Sequence, residues 1–248
     1  MGYVFDYKDA VAYDQLFSKP SNKDISDLEK RLILDMLKPV PGSSLLEIGC
    51  GTGISLSHFV QSGLDVTGID PSPYVLDLAA KKLGHRVELY RGVAEDLPFE
   101  DNSFTYACLI STLEFVEDPR KAIEEACRVA KDRVFLGIMN RHAIRAVQLR
   151  LEGVFSETLY KHATFFSIWE LKQIIRSILG NVPVTWRTAS HLAGVSGKII
   201  HRIEQINLFQ KYPFGAFAGI VVAPVPRFRT RPLSLPYPAK HTSGVVAG

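Results

Sequence analysis

The stretch Leu45-Leu46-Glu47-Ile48-Gly49-Cys50-Gly51-Thr52-Gly53 decides the fold. Ser44 to Ile48 is a short apolar run that reads as a buried strand, and it runs directly into glycines at alternate positions. Glycines there permit a tight turn and let a ligand lie against bare backbone. A dinucleotide fingerprint needs G-x-G-x-x-G. Counted from Gly49 its third glycine falls on Ile54, and counted from Gly51 nothing completes it either. Glu47, two residues before the first glycine, sits badly beside a pyrophosphate because both are negative. It suits a ligand whose near end is cationic.

Outward from this stretch the chain alternates. Residues 53–62 read as a helix stopped by Gly63, 66–69 as a strand ending in Asp70-Pro71, and 73–83 as a helix closed by Gly84. Strands follow at 87–90 and 104–110. A helix at 119–130 carries Pro119 in its first turn, and a strand covers 133–139. Upstream, Ile25, Leu28, Leu32 and Met36 form a stripe at helical spacing over 22–38. Ser21 or Asn22 would cap that helix, Asp24 would lie in its first turn, and Pro39 and Pro41-Gly42 would end it. Downstream the rhythm loosens into helices at 141–152 and 167–179, strands at 182–189 and 216–222, and a short helix at 197–206 between those strands. Strands alternating with helices predict an α/β fold: a Rossmann-like, seven-stranded, mostly parallel sheet with helices on both faces.

Four segments carry a resemblance. Glu47 to Gly53 resembles motif I of the class I S-adenosylmethionine-dependent methyltransferases, in the type 11 branch similar to the ubiquinone/menaquinone C-methyltransferases. Asp70 stands where that family has the acid that accepts hydrogen bonds from both ribose hydroxyls, and it is also placed to cap the helix after Pro71. Arg91-Gly92-Val93-Ala94-Glu95-Asp96-Leu97-Pro98-Phe99 resembles the family's G-D-A-x-x-L-P-F. Val93 replaces the Asp that holds the adenine amino group, so the resemblance implies adenine held by the Ala94 backbone, apolar walls and Glu95. Ile110 and Ser111, at the end of the fourth strand, would approach the methionine end. Many relatives follow with L-H-H-V, where this chain has Leu113-Glu114-Phe115-Val116. Glu114 is then a candidate base or substrate-orienting group, or a structural acid before the next helix. His142, after the fifth strand, is the histidine nearest the expected acceptor pocket, and a packed or solvent-facing histidine fits it as well. Tyr13, in Ala12-Tyr13-Asp14, resembles the family's lid tyrosine; packing of a short helix is the other reading.

The resemblance implies a donor site of Tyr13, Glu47, Gly49, Cys50, Gly51, Thr52, Gly53, Asp70, Pro71, Ala94, Glu95, Ile110 and Ser111. Glu114 and His142 are the candidate catalytic residues. The cofactor would be S-adenosyl-L-methionine, the product S-adenosyl-L-homocysteine. The reaction would be in-line methyl transfer to a small-molecule acceptor. Sulfonium methyl is already electrophilic, so a base is needed only for an acceptor that is protonated at working pH. The expected organisation is an N-terminal lid and helix over 1–38, the methyltransferase domain over 39–223 with an acceptor cap at about 141–180, and a basic, proline-rich tail over 224–248.

The bulk numbers narrow the alternatives. Hydrophobic residues make up 46% and charged residues 22% of 248, enough to build a real core and against disorder. The formal charge is +3, but residues 205–248 carry +5 and the first 204 carry −2. That distribution, and the lack of an N/D-P-P-Y/F run, argue against a nucleic-acid substrate. Cys50, Cys108 and Cys127 lack metal spacing and suggest reduced thiols; no metal is expected. Met1 to Asp6 lacks the features of a signal peptide, and the apolar run 214–225 is too short and too broken to span a bilayer. A cytoplasmic enzyme without membrane insertion is expected, and its oligomeric state is open. After 140, Arg141, Arg145 and Arg150 read as a solvated face or a site for an anion, and Phe155, Tyr160, Phe165, Phe166, Trp169 and Trp186 as cap packing. Two rivals remain: a protein that binds the donor but transfers another group or acts without methylation, and a nicotinamide oxidoreductase, which the glycine spacing disfavours.

Overall fold

The computed structural model describes residues 2–18, 20–143, 162–189, 213 and 215–224. Its sheet has seven strands in the order β3-β2-β1-β4-β5-β7-β6: β1 (Ser44–Ile48), β2 (Asp65–Asp70), β3 (Glu88–Arg91), β4 (Phe104–Ile110), β5 (Ala130–Met139), β6 (Val184–Ala189) and β7 (Phe217–Val222). The pairs β1/β2, β1/β4, β2/β3 and β4/β5 are parallel, and β7 enters antiparallel between β5 and β6. This is the Rossmann-like, seven-stranded, mostly parallel sheet that the sequence predicts, with β7 as its antiparallel strand. The strand order reverses between β1 and β4, and in open α/β sheets ligands bind outside the carboxyl ends of the strands at such a point.

Helices cover both faces: α1 (Tyr7–Ser18), α2 (Pro20–Leu37), α3 (Ile54–Gln61), α4 (Pro73–Leu83), α5 (Pro119–Val129) and α6 (Ile168–Leu179). Side chains alternate along each strand, so two cores form. Leu46, Ala107, Leu109, Val134, Leu136 and Ile220 face α5 and α6. Leu45, Tyr106, Cys108, Phe135 and Val221 face α2 and α3. Among charged residues in the first core, Arg128 stands out. It pairs with Glu125 and Asp101 and donates to the carbonyls of Leu97 and Phe99, while Leu97 N–H donates to Glu125. Burial pushes the Glu125 carboxyl up, but these hydrogen bonds outweigh it and hold it below its ordinary range. The loop 92–99 is thereby fixed to α5.

The structure shifts some boundaries. α2 begins at Pro20, so Ser21, Asn22 and Asp24 lie inside the helix and its first turn carries no acid. Proline suits that first turn because its missing N–H has no partner there anyway. The helix ends at Leu37, whose carbonyl accepts a hydrogen bond from Arg133. β5 starts at Ala130, directly after α5, rather than at 133. β6 starts at Val184. α1 is a full helix where the sequence suggested only a short one. The helix expected at 197–206, nearly all of the one at 141–152, the tail from 225, and Arg145, Arg150, Phe155 and Tyr160 lie outside the described residues.

Candidate functional site

The glycine loop turns sharply out of β1. Gly49, Gly51 and Gly53 all have positive φ, at 72°, 51° and 79°. Gly49 packs so closely on Thr112 that any side chain would strike it. The Thr112 hydroxyl in turn donates to the Ile48 carbonyl at 2.9 Å, which ties the loop after β4 to the loop after β1. Gly51 is the contrary case, for nothing lies within 4 Å of where its Cβ would be, and its face stays open for a ligand.

Asp70 ends β2, Glu47 lies next to the end of β1, and Ser111 follows β4. Asp70 takes the Gly51 N–H on one carboxylate oxygen (3.0 Å) and the Ser72 N–H on the other (2.9 Å). Each oxygen keeps a second lone pair. Burial raises its carboxyl above the ordinary value, against the pull of those two N–H groups. Glu47 is 1% exposed. One of its oxygens accepts from the Ser55 hydroxyl of α3, and the other, Oε2, is buried with no partner. Burial pushes the Glu47 carboxyl up to about 8. Ser111, at the end of β4, has φ 51°, which is unusual for a residue with a side chain and is found where structure elsewhere enforces it. Its N–H donates to Gly137 at 2.8 Å. Cys50 and Thr52 are buried in the loop, and Pro71 lends its carbonyl to Arg91.

The loop 92–99 starts beside the end of β2. Gly92 N–H donates to the Asp70 carbonyl and Ala94 is buried. Glu95 points elsewhere: its carboxylate accepts the N–H groups of Glu117 and Asp118 at 2.8 and 3.3 Å, ahead of α5. Val93 is half-buried.

The N-terminal segment crosses this edge of the sheet. Tyr3 N–H donates to the Phe115 carbonyl at 2.8 Å, and the Phe5 carbonyl accepts from the Ser72 hydroxyl at 2.7 Å. Phe5 meets Phe115 and Tyr13 edge-on, at 5.2 and 5.8 Å between centroids. Tyr3 stacks on His162 at 4.3 Å. Lys82 of α4 pairs with Asp14 of α1 and donates to the Thr52 carbonyl. Sequence reading singled out Tyr13 here but missed Tyr3, Phe5, Ser72 and Thr112. None of these sits in a local pattern, because the fold alone brings them to the site.

Glu114 is 1% exposed, and it accepts the Met139 N–H on Oε1 at 2.8 Å. Its Oε2 is buried without a partner, and burial pushes its carboxyl up to about 7. His142 is exposed and lies edge-on to Trp169. Among the described residues no group of three potential metal ligands forms and all three cysteines are free thiols, and no helix is long and apolar enough to cross a membrane.

Comparison with known proteins agrees with this geometry. The family described as "Methyltransferase domain" matches residues 46–137. An uncharacterized protein of Methanocaldococcus jannaschii is 30% identical over 88% of this chain and 97% of its own length. A demethylmenaquinone methyltransferase of Renibacterium salmoninarum is 37% identical over 41% of this chain, and there the chain spans only 43% of the relative. Among solved structures, a SAM-dependent methyltransferase of Thermotoga maritima, described as a possible histamine N-methyltransferase, is 26% identical. It superposes with a TM-score of 0.64 over 88% of this chain and 96% of that one.

Proposed function

The chain belongs to the class I S-adenosylmethionine-dependent methyltransferases, and on that premise we propose that it methylates a small-molecule acceptor by in-line displacement. S-adenosylmethionine is its donor. The residues present fit that group. Glu47 Oε2, buried and unpartnered, suits the donor's ammonium. The open face of Gly51 lets the donor approach bare backbone, and the free lone pairs of Asp70 suit its ribose hydroxyls. Ala94 offers backbone and an apolar wall to adenine. Pro71, Cys50, Thr52 and Gly53 shape the turn, and Ile110 and Ser111 would border the reacting end. Glu95 leaves the adenine to its neighbours, since its carboxylate serves the loop before α5.

When bound, the donor supplies a methyl carbon on a positively charged sulfur. The acceptor–carbon bond forms as the carbon–sulfur bond breaks, and the electron pair stays on sulfur in S-adenosylhomocysteine. The chain's own work is to hold the partners in line and exclude water. The N-terminal segment 1–38, with Tyr13, acts as the lid in this reading, and residues 141–180 as the acceptor cap. His142 stands at the start of this cap, after β5. The enzyme works in the cytoplasm.

The single observation carrying the reading is the buried, unpartnered Glu47 oxygen next to the end of β1. The test is incubation with S-adenosylmethionine and a metabolite library, reading S-adenosylhomocysteine. The library includes small amines, given the description of the Thermotoga protein. Acceptor-dependent product is expected. Tight donor binding with no product from any acceptor would favour a binder that does not methylate.

A further inference from the structure

Two glutamates at the carboxyl edge of the sheet each bury one oxygen with no hydrogen-bond partner: Glu47 Oε2 after β1 and Glu114 Oε2 after β4. A methyl donor with one ammonium accounts for one of them.

The second belongs to a different loop, between β4 and α5. Ser111 N–H to the Gly137 carbonyl closes the β4/β5 ladder. Two residues on, Met139 N–H finds no strand carbonyl and is taken by Glu114 Oε1 instead. The carboxylate thus sits in the gap beyond the last rung, between the ends of β4 and β5. Thr112, two residues earlier, packs on Gly49, so the same short loop borders the donor turn. Both sides of this loop are clamped. Tyr3 N–H holds the Phe115 carbonyl, and Thr164 N–H holds the Glu114 carbonyl at 2.8 Å. Phe5 and Phe115 stand beside it with their rings in edge contact.

A buried carboxylate with a free oxygen is costly unless something with N–H or O–H groups completes it, and a cation does so best. Aromatic faces also attract a cation. Among the described residues Arg141, the guanidinium that follows β5, is already held by Glu170 and the Phe165 carbonyl. We propose that Glu114, with Phe5 and Phe115, forms the acceptor subsite, and that the acceptor is an amine carrying its charge on an apolar, ring-bearing body. The inference rests on the methyl-transfer reading and names its substrate class. For the nitrogen to react it must lose one proton, which the Glu114 carboxylate can take and pass to water. The nitrogen lone pair then forms the N–C bond while the carbon–sulfur pair returns to sulfur.

The test uses the full chain saturated with S-adenosylhomocysteine, titrated with 2-phenylethylamine, 2-phenylethanol and phenylacetate. The amine should bind at least about tenfold tighter than the alcohol, and the carboxylate weakest. Glu114→Gln, which keeps an oxygen for Met139 N–H, should erase the amine preference and leave S-adenosylhomocysteine affinity within about twofold. Equal binding of amine and alcohol by the wild-type protein, a preference for phenylacetate, or binding of none would overturn the proposal without any variant. So would a Glu114→Gln protein that folds and keeps the preference, or one whose main loss is donor affinity. Failure of S-adenosylhomocysteine itself to bind would overturn the methyl-transfer reading, and this inference with it.

Discussion

At the ends of β1 and β2 the backbone itself shapes the site; at the ends of β4 and β5 side chains from separate segments do. The first region consists of glycines with positive φ, a carboxylate that bonds two N–H groups of its own loops, and a buried glutamate braced by Ser55. The second consists of Tyr3, Phe5, Phe115 and His162 in ring contact, with Glu114, next to Phe115, held by the Met139 N–H. Backbone geometry admits few substitutes and so suits a ligand common to the whole family. Side chains gathered from separate segments can be replaced one at a time without remaking the backbone, which suits the proposed acceptor subsite.

The difference can be broken or sharpened by mutation. The largest effect is expected at Arg128, whose side chain is 6% exposed and clamps the loop 92–99 to α5. Arg128→Met leaves Glu125 and Asp101 buried without their cation and should destabilise by about 3–5 kcal/mol. In a thermal melt that is roughly a 10 °C fall. An unchanged melt would show that the clamp is dispensable. Next is Gly49→Ala, which combines a left-handed backbone with a clash against Thr112. It should cost about 1–3 kcal/mol and weaken S-adenosylhomocysteine binding in calorimetry.

Glu47 gives a pH signature. Its carboxyl is raised to about 8 in the folded chain, against about 4.3 for an unfolded glutamate. The folded state therefore keeps a proton that the unfolded chain releases. The resulting stability is complete below the unfolded value and is lost as pH rises to about 8. The donor-free melt should fall across this window, and Glu47→Gln should flatten the fall. Donor affinity should run the opposite way, rising with pH as the carboxylate forms, and this slope too should vanish in Glu47→Gln. The smallest effect is expected at Phe5. Phe5→Leu should leave donor affinity unchanged and raise the acceptor KM severalfold, an effect of about 0.5–1.5 kcal/mol.

Much of the first region was legible in the sequence because its signals are local. Three glycines at alternate positions, an acid two residues ahead and an acid at the end of the next strand are read within 24 residues. The element order was legible for the same reason, since each strand and helix carries its own period. What escaped was whatever depends on long-range meeting. Thr112 clamps Gly49 across 63 residues, and Ser72 holds Phe5 across 67. Arg133 caps a helix that ends 96 residues earlier. The start of α2 was misread because Ser21 and Asn22 look like caps, while Pro20 had already opened the first turn.

The central claim is that β1 and β2 present one donor site in which Asp70 is an essential acceptor. Calorimetric titration of S-adenosylhomocysteine into the wild-type protein and into Asp70→Ala tests it most directly. The wild type should bind one equivalent. The variant, having lost charged hydrogen bonds worth about 1.5–3 kcal/mol each, should bind tenfold to hundredfold more weakly, or worse. Equal affinity in the two proteins would contradict the account.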